Sequence, residues 1–338
     1  MHEKKILSIS KKFLKGCILY SMFKIYHVAK GKDQKMAHEQ GLPVLNTFAN
    51  GYQSIVSNCK KFASGMKRYG AFLDSGAFTF GKEGHSEQEH EIVLNSYLDF
   101  LNSDYNVYEI NAQLDTLVVG TRANVDSVHD GAEKTFENYQ YMLDRVKHPE
   151  RLCIVYHIQK ERLDVLKRLL HYSSNGKRAG CIAISQAYRD SIENKIRTLE
   201  PAFEMIMDSP FADLKKHCLG MTIPQVLQKY PFTSSDSTAV QLAAGFGMVF
   251  YWLPEKNYYT RLFVGRLSHG VKKKGHKQMP KKQFDEFKAY VKDFGFTLDD
   301  IEGDDCRDGR VKFNFAVMKR YADSYKCEYK HITTKKLF

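Results

Sequence analysis

The stretch Leu152-Cys153-Ile154-Val155-Tyr156-His157-Ile158-Gln159 is a short apolar run that turns polar at its end. A bounded run of this kind reads as a strand, here at 152–159. A helical pattern over about 160–172 follows it, and a second apolar run, Gly180-Cys181-Ile182-Ala183, lies within a strand at 179–185. Strand, helix and strand joined by connections of this length form a parallel βα unit. Working outward, the same alternation predicts strands near 16–24, 42–49, 70–75, 107–116, 216–221 and 231–236, and further helices at about 131–147 and 189–207. The clearest helix start is Ser86-x-x-Glu89, a capping box ahead of Ile92, Val93, Tyr97, Leu98 and Leu101. Eight strands alternating with helices predict an α/β fold, a closed (β/α)8 TIM-like barrel rather than an open sheet. The chain of 338 residues, 43% hydrophobic, suits one such barrel with additions. It has no internal repeat or low-complexity linker. A composition change near residue 265 divides it into a barrel, 1–265, and a basic C-terminal extension, 266–338.

The chain carries 51 Lys and Arg against 39 Asp and Glu, a formal charge of +12. That balance favours a polyanionic partner, of which nucleic acid is the commonest. Its seven cysteines (17, 59, 153, 181, 218, 306 and 327) are odd in number and scattered, several inside apolar runs. This is the pattern of reduced, buried thiols in a cytoplasmic protein. The apolar segment Cys17-Ile18-Leu19-Tyr20-Ser21-Met22-Phe23 is cut short by Lys24, and no small-residue cleavage site follows. No run approaches the roughly 20 apolar residues that span a bilayer, so a soluble protein is expected.

In a barrel of this class, functional side chains lie at the C-terminal ends of the strands. The predicted strand ends carry Asp74, Asp115, His157-Ile158-Gln159, Ser185-Gln186, Gly220-Met221-Thr222 and Asp236. Two of the aspartates sit in small, polar, turning segments, Asp74-Ser75-Gly76-Ala77-Phe78 and Ser234-Ser235-Asp236-Ser237-Thr238. Aspartates also cap turns after strands, but six consecutive polar or glycine-rich ends point to one site. Paired carboxylates at one mouth suit chemistry at an anomeric carbon, one attacking or stabilising the sugar and the other moving protons. Carboxylate and amide groups beside glycine also suit a flat heteroaromatic ligand.

The segments Leu73-Asp74-Ser75-Gly76-Ala77-Phe78, Gln113-Leu114-Asp115, Tyr156-His157-Ile158-Gln159, Cys218-Leu219-Gly220-Met221 and Tyr230-Pro231-Phe232-Thr233-Ser234-Ser235-Asp236-Ser237-Thr238 occur in an order that resembles the tRNA-guanine transglycosylase superfamily. They are most similar to the DNA-guanine transglycosylases of phages and bacterial genomic islands, which insert 7-deazaguanine bases into DNA. The resemblance spans roughly residues 70–240. It implies that Asp236 is the nucleophile that displaces guanine at C1′, and that Asp74 is the acid/base carboxylate. It further implies that Ser75, Gly76, Asp115, Gln159, Gly220 and Met221 form the base pocket. DNA is then the expected polymer, with tRNA as the alternative and a free 7-deazaguanine base as the second substrate. A base stacked in a duplex must be flipped out or presented in a single strand.

Two departures accompany the resemblance. Ser185-Gln186 stands where the family usually has a glycine pair. The family's zinc cluster is absent, and Cys306, Cys327, His331, His269 and His276 fit no standard zinc spacing, so no cofactor is expected. Downstream, Lys272, Lys273, Lys274, Lys277, Lys281 and Lys282 make the densest positive tract, a candidate for holding a phosphate backbone. Tyr251, Trp252, Tyr258 and Tyr259 precede it and are candidates for stacking on unpaired bases. The tail, 297–338, reads only as polar. An N-glycoside hydrolase and a non-catalytic nucleic-acid-binding barrel remain alternatives on the residues alone.

Overall fold

The computed structural model describes residues 23–48, 71–76, 87–116, 125–158, 162–185, 190–253, 258–265 and 279–329. In chain order it contains β1 (Lys24–Val28), α1 (Gly31–Glu39), β2 (Val44–Thr47), β3 (Ala71–Asp74), α2 (Glu87–Asn102), β4 (Ile110–Ala112), α3 (Val125–Arg145), β5 (Leu152–His157) and α4 (Leu163–His171). There follow β6 (Cys181–Ser185), α5 (Ile192–Met207), β7 (Lys215–Leu219), α6 (Pro224–Leu227) and β8 (Ser234–Ser237). Strands β1 to β8 form a closed barrel in sequence order. Every pairing is parallel, and β8 closes on β1 with Tyr26 opposite Asp236. The chain is thus a (β/α)8 barrel.

Alternation along each strand separates two cores. Tyr26, Leu45, Phe72, Ile110, Ala112, Cys153, Val155, Cys181 and Ala183 fill the barrel interior. The residues between them, such as Ile154, Tyr156, Ile182 and Ile184, face the helices and join the larger outer core. This is why β5 is buried at all six positions. One step of two residues toward the C-terminal end changes the inward set from apolar to polar: Leu45 gives way to Thr47, Phe72 to Asp74, Val155 to His157 and Ala183 to Ser185.

Several boundaries differ from the sequence reading. The strand expected at 16–24 is displaced to Lys24–Val28, and residues 1–22 lie outside the described set. The polar side chains of this strand meet residues far away in sequence. Lys24 Nζ donates to both carboxylate oxygens of Glu109 at 2.7 and 2.9 Å, and His27 packs on Phe315 with ring centroids 4.6 Å apart. β4 is only Ile110–Ala112, so Asp115 lies beyond the strand rather than on it. The capping box at Ser86 falls outside the described residues.

After β8 the chain continues through α7 (Ala239–Gly245), the antiparallel hairpin β9 (Met248–Leu253) and β10 (Tyr258–Phe263), α8 (Lys281–Asp293), α9 (Leu298–Ile301) and α10 (Arg307–Ser324). Helix α10 packs against α7, β9, α1 and β1. It buries Val311, Phe313, Phe315, Val317, Met318 and Tyr321. Arg310 Nε donates to the carbonyl of Ala244 at 3.0 Å and its Nη1 to that of Ile301 at 3.1 Å. Asn314 accepts from Phe250 N at 2.8 Å and donates to Met248 O at 3.2 Å, tying the hairpin edge to the helix. Arg307 grips Asp33 of α1 through two bonds of 2.8 and 2.7 Å. The tail that read as merely polar therefore contains a helix buried on several sides at once, which leaves no one-sided apolar stripe in its sequence.

Candidate active site

The C-terminal ends of the barrel strands enclose one cavity of about 580 Å³. Asp74, Asp115, His157, Ser185, Gly220, Met221 and Asp236 all line it. The three aspartates come from β3, the segment after β4, and β8. Ser75 reaches the site indirectly, since its Oγ donates to Asp115 Oδ1 at 2.9 Å. Gly76, two residues after Asp74, has φ +91, a left-handed turn that a side chain resists. Gln159 lies outside the described residues.

The pKa of the Asp74 carboxyl is pushed up to about 7. Burial is the main cause, followed by the charges of Asp115 and Asp236; donors from the Gly76 backbone and the Thr47 side chain oppose the shift. Asp115 is held at both oxygens, by Ser75 and by His157, whose Nε2 lies 2.7 Å from Oδ2. Asp236 is held at one oxygen from two directions. The Gly220 N–H donates to Oδ1 at 2.8 Å, and His217 Nε2 lies 3.0 Å from the same atom. Gly220 achieves this with φ +70, a turn immediately after β7.

The sequence reading missed His217, Lys195 and Arg261. His217 is inward on β7, and its partner across the register is Ser234 on β8. The parallel pairing of β7 with β8 brings the two side chains together. Lys195, in the first turn of α5, lines the cavity, and burial lowers its pKa. Arg261 and Tyr259 line it from β10, two residues apart and so on one face of the strand. The Tyr259 hydroxyl donates to Thr222 O at 2.7 Å, which docks the hairpin on the mouth. The exposed Leu242 of α7 completes this rim.

Not all the expected binding residues converge. Tyr251 packs on Phe287 and Tyr290, and Trp252 on Tyr321, so these two aromatics join the core rather than the mouth. The Tyr258 side chain and Lys272, Lys273, Lys274 and Lys277 lie outside the described residues. Lys281 and Lys282 are exposed at the start of α8 and do not line the cavity. Among the described residues, no group of three His, Cys, Asp or Glu side chains is arranged to hold a metal ion. Cys306 instead donates to the Asp299 carbonyl, and Cys327 accepts from Tyr329 N. Also among these residues, no helix is long and apolar enough to cross a membrane.

Fold and site together define a (β/α)8 barrel whose C-terminal mouth gathers three carboxylates, two of them paired with histidine. The chain matches no protein-family model and no curated protein.

Proposed function

We propose that the protein is a base-exchange glycosyltransferase of the tRNA-guanine transglycosylase type, acting on DNA and replacing guanine with a 7-deazaguanine. The observation that carries this reading is the pairing of two unlike carboxylates in one cavity. Asp74 retains a proton up to about neutral pH, while Asp236 receives two donors on one oxygen. A proton-bearing acid beside a carboxylate prepared for attack is the division of labour that nucleophilic displacement at an anomeric carbon requires. The cavity volume lies within the range that holds a ligand of nucleoside size.

In this mechanism an oxygen of Asp236 attacks C1′ as the C1′–N9 bond breaks. The bonding pair goes to N9, which takes the Asp74 proton, and guanine leaves as the neutral base. The sugar is then held as an ester of Asp236. The incoming base gives its N9 proton to the Asp74 carboxylate, its nitrogen attacks C1′, and Asp236 is released as a carboxylate. Asp115, fixed at both oxygens, presents a rigid acceptor edge for purine N–H groups. The enzyme and its proton inventory are restored after each exchange.

The deciding experiment is incubation with labelled guanine and either duplex DNA, single-stranded DNA or tRNA. Label entering DNA supports the reading, and label entering only tRNA transfers it to the tRNA substrate. Guanine released without incorporation makes the protein an N-glycoside hydrolase, and neither outcome makes it a binding barrel. Within the DNA reading, Arg261 at the mouth takes a phosphate next to the flipped nucleotide. Arg261→Gln is expected to raise the KM for DNA about tenfold with little change in kcat. Replacing the lysines of the 272–282 tract by glutamine is expected to weaken binding at every sequence, and to flatten the dependence of log affinity on log salt by about 0.9 for each phosphate no longer neutralised.

A further inference from the structure

We propose that His217, with Ser234 behind it, is the positioning residue that sets which oxygen of Asp236 attacks the sugar. The three residues form a line inside the barrel. The Ser234 hydroxyl lies 2.9 Å from His217 Nδ1, and His217 Nε2 lies 3.0 Å from Asp236 Oδ1. His217 is completely buried, its ring 4.5 Å from that of Phe72 and 5.7 Å from that of Tyr26. These walls prevent the imidazole from turning.

The direction of the bonds follows from the groups at the two ends. A carboxylate only accepts, so His217 Nε2 carries the hydrogen and donates to Asp236. A singly protonated ring then has its lone pair on Nδ1, which accepts the Ser234 hydroxyl hydrogen. Ser234 thus selects the tautomer that serves Asp236. With the Gly220 N–H on the same atom, Oδ1 has two donors and is the poorer nucleophile. Oδ2 is the oxygen left to attack, and the carboxylate plane is fixed before substrate arrives.

This inference rests on the transglycosylase reading for its catalytic consequence, but the tautomer itself is a property of the protein alone. The first test is the rate of denaturation-resistant adduct formation on a guanine-containing oligonucleotide. His217→Leu, which keeps volume but has no donor, is expected to slow the adduct roughly ten- to hundred-fold with KM unchanged, the size expected for a misaligned reacting group. His217→Gln, whose amide can reach the same carboxylate oxygen, is expected to restore most of that loss. Equal rates in the Leu and Gln variants would mean that His217 only fills space, and would overturn the proposal.

The second test is nitrogen NMR of the His217 ring in the full-length protein. A single Nε2–H tautomer is expected in the parent and a mixture of tautomers in Ser234→Ala. An Nδ1–H tautomer or a doubly protonated ring in the parent would overturn the proposal whether or not the protein is active. Absence of any adduct in the parent together with the expected tautomer would reject the transglycosylase reading while leaving the positioning of Asp236 intact.

Discussion

Asp236→Asn is expected to abolish both base exchange and the covalent adduct, with a loss of at least about 10⁴-fold, because an amide oxygen is far too weak a nucleophile to displace a base. The variant should fold. Asparagine is nearly isosteric with aspartate, and its carbonyl oxygen can accept the same bonds from Gly220 N and His217 Nε2 that Asp236 Oδ1 accepts. Affinity for a guanine-containing strand should therefore remain close to that of the parent. The measurement is gel separation of the adduct under denaturing conditions, beside labelled-guanine exchange. An undiminished adduct in Asp236→Asn would move the nucleophile elsewhere and remove the mechanism.

For Asp74→Asn, activity and stability are expected to change in opposite directions. The amide cannot give a proton to the departing base or take one from the incoming base, so exchange should fall about 10²- to 10⁴-fold. In the parent, the protonated form of Asp74 is the working acid of the free enzyme. Its kcat/KM for the nucleic acid should accordingly decline as pH rises through about 7, and this decline should vanish in the variant. A parent profile flat from about pH 6 to about pH 9 would remove Asp74 from the acid role.

Stability follows the same proton. The Asp74 carboxyl titrates near 7 in the folded protein against 3.8 as its ordinary value. Between these values the folded state keeps a proton that the unfolded chain has released, so this group makes stability fall as pH rises across the window and adds no further change above it. At about 1.4 kcal/mol per pKa unit the ceiling is about 4 kcal/mol, and solvent screening of this incompletely buried residue reduces it to about 1–3 kcal/mol. Asp74→Asn escapes this penalty. Urea unfolding should find the variant more stable than the parent at about pH 8 and equal to it near about pH 3.5. A variant less stable than the parent at about pH 8 would show that the native site does not strain this carboxylate.

Much of the barrel is legible from local pattern. Apolar runs such as Leu152–His157 and Cys181–Ser185, separated by helical periodicity, are short-range signals that survive without knowledge of their partners. The same locality exposes Asp74, Asp115 and Asp236, because the change from apolar to polar at a strand's end is written within a few consecutive residues. β1 is misplaced by local pattern for the opposite reason. Lys24-Ile25-Tyr26-His27-Val28 looks less like a strand than the more apolar Cys17–Phe23 until Glu109 neutralises Lys24 and Phe315 covers His27, partners far away in sequence. Helix α10 is hidden for a related reason, since neighbours on several sides bury it and no single apolar face marks it.

The amino-acid sequence alone thus carries the βα alternation, the closed parallel barrel and the arrival of Asp74 and Asp236 at strand ends, with Asp115 just beyond one. Each of these rests on short apolar runs, on the helical periodicity between them and on the apolar-to-polar switch at a run's end. How those carboxylates are equipped is settled in the assembled barrel. His217 meets Asp236 because β7 lies beside β8 with both side chains inward, and His157 meets Asp115 across β5 and the segment after β4. Tyr259 and Arg261 reach the mouth because the hairpin docks on Thr222. The raised pKa of Asp74 exists only when burial and two other carboxylates surround it. Hydrogen-bond partners, buried charge and desolvation depend on distances between residues far apart in the chain, and those distances come into being when the barrel closes.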